Sequence, residues 1–160
     1  MLLEVRELTE DEISVLPTID EYPNKDIGLK TAYTRVGFKA ESFYALFEKN
    51  NLEILGSLRI YRKPLIFGRK IPEGTALLYE EWVKPQRDPK GTNIETLVNE
   101  ALMREYLKGT KKVLYVVEQH TQESTQIITK CGINTLAGSY QDDPNNPTNA
   151  IFIYQKILGA

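Results

Sequence analysis

ALLYEEWV (76–83), KPQRDPKG (84–91), TNIETLVNEALMREYLK (92–108) and VLYVVE (113–118) follow one another with only GTKK between the last two. The first piece is rich in branched and aromatic residues and reads as a strand. The second carries Pro85, Pro89 and Gly91 and reads as a loop. Thr92-Asn93-Ile94-Glu95 has the form of a capping box, in which the hydroxyl bonds the N–H of Glu95 and the carboxylate reaches back. Behind it Ile94, Leu97, Val98, Ala101 and Leu102 recur at helical spacing. That predicts a helix to about Lys108, stopped by Gly109. The short apolar run at 113–118 predicts a strand buried on both faces. A strand–helix–strand crossover of this length is right-handed and makes its two strands parallel.

Upstream, residues 2–7 alternate Leu3 and Val5 with Glu4 and Arg6, which predicts a strand. Thr9-Glu10-Asp11-Glu12 is a second capping box, opening a helix over 10–16 that Pro17 ends. Residues 17–30 read as loop, and a weak helix is expected over 29–36. Residues 42–48 (SFYALFE) and 52–61 (LEILGSLRIY) flank Asn50-Asn51, the pattern of a β-hairpin. Downstream, Ser124, Ile127, Ile128 and Cys131 form another helical stripe, ended by Gly132. A strand over 133–140, a Pro/Asn-rich loop (QDDPNNPTN) and a strand over 150–157 complete the chain. The expected fold is α/β with a mixed central sheet, in the order β-α-α-β-β-β-α-β-α-β-β, with helices on both faces. Residues 1–160 form a single domain in this reading, with no repeat and no linker.

Composition narrows the function classes. The 160 residues carry 20 basic and 22 acidic side chains, a net charge of -2, so no global field favours nucleic acid or an anionic membrane. One cysteine and one histidine exclude a disulfide framework, a Cys-rich metal site and a His-rich one. No apolar run reaches the ~20 residues that span a bilayer. The start, MLLEVRELTEDE, turns acidic at once and is read as neither signal nor transit peptide, which makes a cytoplasmic location the expectation.

The order of elements resembles the GNAT superfamily of acyl-CoA-dependent N-acyltransferases over nearly the whole chain. The local anchor is Val83-Lys84-Pro85, followed by a Gly-bearing loop and a helix. In that family the loop reads Val-x-Pro-x-x-Arg/Gln-Gly-x-Gly-x-Gly/Ala, and its backbone N–H groups hold the CoA pyrophosphate. A helix N-terminus suits a phosphate because its first N–H groups lack partners and the helix dipole is positive there. In register, Val83 and Pro85 match and Gly91 takes the middle glycine. Asp88 stands at the Arg/Gln position, Pro89 at the first glycine and Asn93 at the last, while Glu95 adds a second carboxylate nearby. The resemblance implies acetyl-CoA as cofactor, with Val83, Arg87, Lys90, Gly91, Thr92, Asn93 and Thr121 around it. Thr121 takes the family's Asn position, and Ile128 stands where the family often has a catalytic Tyr.

Glu80 and Glu81 lie where such enzymes often place the base that deprotonates the amine. Period-two alternation sends them to opposite faces, with Glu81 on that of Tyr79 and Val83. Either is also an ordinary solvated strand carboxylate. His120, after the strand at 113–118, has an intrinsic pKa suited to proton transfer, or is plain surface. Cys131 reads as core rather than nucleophile, Trp82 as core packing, and Tyr140 and Tyr154 as core aromatics or replacement acids. Asp142 and Asp143 are candidates to attract a cationic amine. Arg59, Arg62, Lys63, Arg69 and Lys70 read as a basic patch for an acidic partner or as a solvated edge.

Two functions are therefore expected. One is acetyl transfer from acetyl-CoA to an amine, with Glu81, His120 or Glu80 as base and a small molecule or a protein as acceptor. The alternative is a catalytically inactive domain of this fold that binds a protein partner or a second copy of itself, as a structural subunit of a larger assembly such as a phage virion. Under the enzyme reading, Gly91→Trp is expected to abolish acyl-CoA binding and leave the domain folded.

Overall fold

The computed structural model describes residues 2–9, 12, 42–50, 53–62, 65–66, 69–70, 72–84, 88, 90–117, 120–141 and 150–159. Strands β1 (Leu3–Leu8), β2 (Ser42–Glu48), β3 (Glu53–Tyr61), β4 (Leu65–Ile66), β5 (Arg69–Lys70) and β6 (Thr75–Val83) come first. Helix α1 (Thr92–Leu107), strand β7 (Lys112–Val117), helix α2 (Gln122–Lys130), and strands β8 (Thr135–Gln141) and β9 (Ala150–Ile157) follow. Seven strands form one sheet in the order β1-β2-β3-β6-β7-β9-β8, and β4 and β5 form a small hairpin that the sequence reading did not anticipate. Within the large sheet β6 and β7 are parallel, as the crossover requires, and the other pairings are antiparallel.

Both described helices share one core with one face of this sheet. Ile94, Leu97, Val98, Ala101 and Leu102 of α1 and Ile127 of α2 meet Tyr44, Leu46, Leu58, Ile60, Leu78, Val113 and Tyr115. The helices expected over 10–16 and 29–36 lie almost wholly outside the described residues. Glu12 is helical, and its capping box is made: Thr9 N–H donates to Glu12 Oε1 (3.1 Å) and Glu12 N–H to Thr9 Oγ1 (3.2 Å).

Three expectations are corrected. Strand β7 is not buried on both faces: Val113, Tyr115 and Val117 are inside while Lys112, Leu114 and Val116 are half-buried, because the two described helices pack on one side. Two members of the expected basic patch are engaged inside the fold, while Lys63 and the side chains of Arg69 and Lys70 lie outside the described residues. Arg59 is fully buried with its guanidinium 5.6 Å from the Phe43 ring centre, and Arg62 pairs with the buried Glu105. Glu105 also accepts the Tyr44 phenol (2.6 Å), so a buried charge finds the partners its burial requires. Third, the capping box predicted at Thr92–Glu95 is absent; Gly91 is the N-cap of α1 and offers no side-chain cap.

Two departures from regular pairing shape the centre of the sheet. Ser57 faces Trp82 and Arg59 faces Tyr79, so Glu80 and Glu81 together oppose Leu58 in a β-bulge. The bulge resets the alternation and lets Leu78 and Val83, at odd spacing, enter the same core. The β6–β7 ladder runs from Thr75–Lys112 to Leu78–Tyr115 and stops there, although both strands continue.

Candidate active site

The two parallel strands part beyond Leu78 and Tyr115, and Glu81 stands at that fork. Its carboxylate accepts a short hydrogen bond from the Tyr115 hydroxyl, which reaches it from the opposite strand. Tyr115 is itself fully buried. Burial pushes the Glu81 carboxyl up to about 7, because a charge there loses its water. The Tyr115 hydrogen bond, a hydrogen bond from its own backbone and the charge of Arg59 hold it back, while Glu123 pushes further upward. The Tyr115 phenol is driven above its ordinary range by burial and by Glu81, so it remains a donor.

A second proton-competent pair lies on the next strand. Tyr115 faces Tyr154 across the β7–β9 ladder, and the Tyr154 hydroxyl lies 2.9 Å from His120 Nε2. His120 follows β7 and is exposed, with its ring 5.3 Å from that of Phe152. The ladder thus sets Glu81–Tyr115 and His120–Tyr154 side by side, because directly opposed residues share a face. Tyr115 had no signal in the sequence beyond its place in an apolar run, whereas Tyr154 was weighed as a core aromatic or a replacement acid.

Asp88, before α1, is bound to the start of that helix. Asp88 Oδ1 accepts the Asn93 N–H (2.8 Å) and Oδ2 accepts the Ile94 N–H (2.9 Å). Those are two of the orphan donors at the start of a helix. Gly91 N–H closes a turn onto the Asp88 carbonyl (3.2 Å), and Lys130 Nζ donates to the Lys90 carbonyl (2.7 Å) from α2. Gly91 has φ +71°, and a Cβ there would stand 2.5 Å from Cδ of Gln126. The left-handed backbone favours glycine, and the flexible end of Gln126 would have to move aside for any Cβ.

Of the residues singled out from the sequence, Glu81, Val83, Lys90, Gly91, Thr92, Asn93, His120 and Thr121 are described. Glu81 bonds Tyr115 and His120 bonds Tyr154, and the two tyrosines are ladder partners on β7 and β9. Val83 is core, Thr92 is exposed, and Lys90 offers a carbonyl that Lys130 already holds. Thr121 is committed to a capping box with Ser124 at the start of α2, accepting Ser124 N–H at 3.1 Å. Arg87, the side chains of Glu80, Trp82 and Tyr140, and Lys63, Asp142 and Asp143 lie outside the described residues. Cys131 is buried with its thiol pushed up to about 11 by burial, in keeping with a core role.

No protein-family model matches the sequence. No curated protein matches it either. Solved structures match over almost the full length. An acetyltransferase of the GNAT family from Streptococcus pneumoniae is 13% identical, with 99% of this chain and 100% of that chain covered at a TM-score of 0.66. A Bacillus subtilis acetyltransferase in complex with CoA is 17% identical, covering 98% and 97% at 0.62. A GNAT family acetyltransferase from Brucella melitensis in complex with acetyl-CoA is 14% identical, covering 99% and 90% at 0.59. At such identities the shared property is the backbone arrangement: a mixed sheet whose parallel pair opens beside a helix N-terminus is the GNAT fold, and this chain has it.

Proposed function

We propose that the chain is an N-acyltransferase that uses acetyl-CoA, or a related acyl-CoA, and an amine acceptor. The observation that carries this reading is Glu81: a carboxyl with a pKa of about 7, at the point where two parallel strands open. A general base works best with a pKa near the operating pH. The fork and the α1 N-terminus also suit the two ends of an acyl-CoA. The Asn93 and Ile94 N–H groups already hold an anionic carboxylate, so their geometry accepts negative charge.

When bound, acyl-CoA supplies an acyl carbon activated as a thioester. The chain's own residues do the rest. Ionised Glu81 takes a proton from the ammonium of the acceptor at its carboxylate, which leaves a nucleophilic nitrogen. Tyr115 keeps the carboxylate oriented through its hydroxyl and does not ionise. Backbone N–H groups of β6 near Val83, past the end of the β6–β7 ladder, are the donors assigned to the acyl oxygen. As the acceptor nitrogen bonds the acyl carbon and the C–S bond breaks, the Tyr154 hydroxyl, hydrogen-bonded to His120 Nε2, is the donor assigned to the departing thiolate. The acceptor is a small molecule or a protein amine.

Acetylation of a panel of amines, followed as free thiol released from acetyl-CoA, tests this. Turnover should rise through pH 7 as Glu81 ionises and should collapse in Glu81→Gln. Turnover equal in the two proteins would remove Glu81 from the chemistry.

A second reading is favoured by one observation, the Asp88 carboxylate seated on the α1 N-terminus. Under it the domain binds a protein partner or another copy of itself and does no chemistry. A thermal melt separates the two. Acetyl-CoA at 100 times its dissociation constant stabilises by about 2.7 kcal/mol, and each kcal/mol moves the midpoint by about 2–4 °C at this size. A midpoint unmoved by millimolar acetyl-CoA favours the non-catalytic domain.

A further inference from the structure

We propose that β8 pairs edge to edge with β8 of a second copy of this chain, about a two-fold axis perpendicular to the sheet, so that two sheets become one. β8 ends the sheet order β1-β2-β3-β6-β7-β9-β8 and has one strand neighbour there, β9. The outer backbone groups of an edge strand are a template for another strand, and proteins guard them with charge, proline or bulges. The seven residues of β8, TLAGSYQ, include no charged side chain and no proline. Thr135, Leu136, Ala137 and Ser139 are exposed, Leu136 at 55%. The strand at the other end of the sheet is built differently. β1, LEVREL, carries Glu4, Arg6 and Glu7. Arg6 pairs with Glu12 at 2.6 Å, Lys108 pairs with Glu7, and Arg104 donates to the Val5 carbonyl at 2.8 Å.

Charge and symmetry point to a second copy as the occupant. Every register of β8 against itself opposes uncharged side chains, with none of the like-charge pairs that destabilise a ladder. At a net charge of -2, two copies meet with little long-range repulsion. The one guard on this edge is the bulge between Leu136 and Gly138, which leaves Gly138–Gln141 as a regular stretch. A two-fold axis within residues 138–140 uses that stretch. It sets Ser139 opposite its own copy or diagonal to it on the same face. Gly138 leaves room there, since even a Cβ would meet nothing within 4 Å. The contact is isologous and uses up the edge, so it closes at two copies. A single strand pair buries little area, which places this dimer in the weak, concentration-dependent class. The pairing does not depend on the chemistry proposed for Glu81, because β7 and β9 stand between β8 and β6.

The test is sedimentation equilibrium from micromolar to millimolar protein, on the wild type, Ser139→Lys, Ser139→Glu and an equimolar mixture of the two variants. The wild type should pass from monomer to dimer. Each variant alone should dimerise more weakly by about 5-fold, the weight of one opposed like-charge pair. The mixture should regain the lost affinity, because Lys then faces Glu. Amide exchange at Gly138–Gln141 of the wild type should also slow as concentration rises, and thermal melts check that each variant is folded. A wild type that stays monomeric at millimolar concentration overturns the proposal. So does a dimer whose dissociation constant is the same in all four samples, since it would form through another surface. If either variant fails to fold, the wild-type exchange decides, and rates at 138–141 that ignore concentration overturn the pairing.

Discussion

Glu81 and Asp88 are the two carboxylates of the proposed site, and their surroundings differ. Asp88 has a backbone donor for each oxygen. Glu81 has a single side-chain donor, Tyr115, and burial that pushes its carboxyl to about 7. The first is saturated and held in place; the second is short of solvation and therefore reactive near neutral pH. One functional group caps a helix in one place and is the proposed base in the other, and the difference is made by what points at it.

Removing the reactive member of the pair gives the largest expected effect. Glu81→Gln should lower kcat by about 10²–10⁴-fold and leave the calorimetric affinity for CoA almost unchanged. A matching loss of affinity would mean that the two ends of the cleft are not separable.

The same substitution has a consequence for stability, with a definite sign. The Glu81 carboxyl is raised from 4.5 to about 7, so between those values the folded protein holds more protons than the unfolded chain. Stability then falls as pH rises through that window. The loss is on the order of 3 kcal/mol at 1.36 kcal/mol per pKa unit. Glu81→Gln should abolish this part of the pH dependence, so denaturant melts of the two proteins should diverge as pH rises from 4.5 to 7 and stay offset above it, with the variant gaining stability relative to the wild type. Parallel curves from pH 4.5 to 8.5 would mean that the carboxyl is not desolvated.

At the saturated end, the structure revises what Gly91→Trp is expected to do. The sequence alone predicts lost ligand binding in a folded domain. With φ +71° and Gln126 where the Cβ must go, even Gly91→Ala should cost about 1–3 kcal/mol in folding stability. The denaturation midpoint in the absence of ligand measures it, and an unchanged midpoint would show that the loop yields more easily than its contacts with α2 suggest.

A smaller effect sharpens the comparison from the other side. Tyr115→Phe removes the donor that restrains the Glu81 carboxyl, so its pKa should climb above 7. The midpoint of the pH–rate profile should move to higher pH by about one unit, the equivalent of a charge-assisted hydrogen bond at the low end of its range. A shift to lower pH would reverse the role given to Tyr115.

Much of the fold is legible because it is written in consecutive residues. The apolar stripe from Ile94 to Leu102 sets α1, the branched runs set β2, β3 and β6, and the length of the crossover sets the parallel pair. Thr9 and Glu12 cap as read, since a capping box is complete within four residues. The box at Thr92 has the same local form and does not close, because an acceptor outside the helix, Asp88, reaches donors of the first turn instead. Sequence spacing placed Glu81 on a strand near the cleft. Only the tertiary structure decided its partner, Tyr115, which lies 34 residues away in the chain. The same holds for the pairing of His120 with Tyr154 and for the burial of Arg59 over Phe43, each across strands or a turn that no local period encodes. Periodicity specifies which face of an element is apolar. Which side chain meets which across the sheet depends on register, and here a bulge at Glu80 and Glu81 shifts that register by one residue, beyond the reach of any pattern read along the chain.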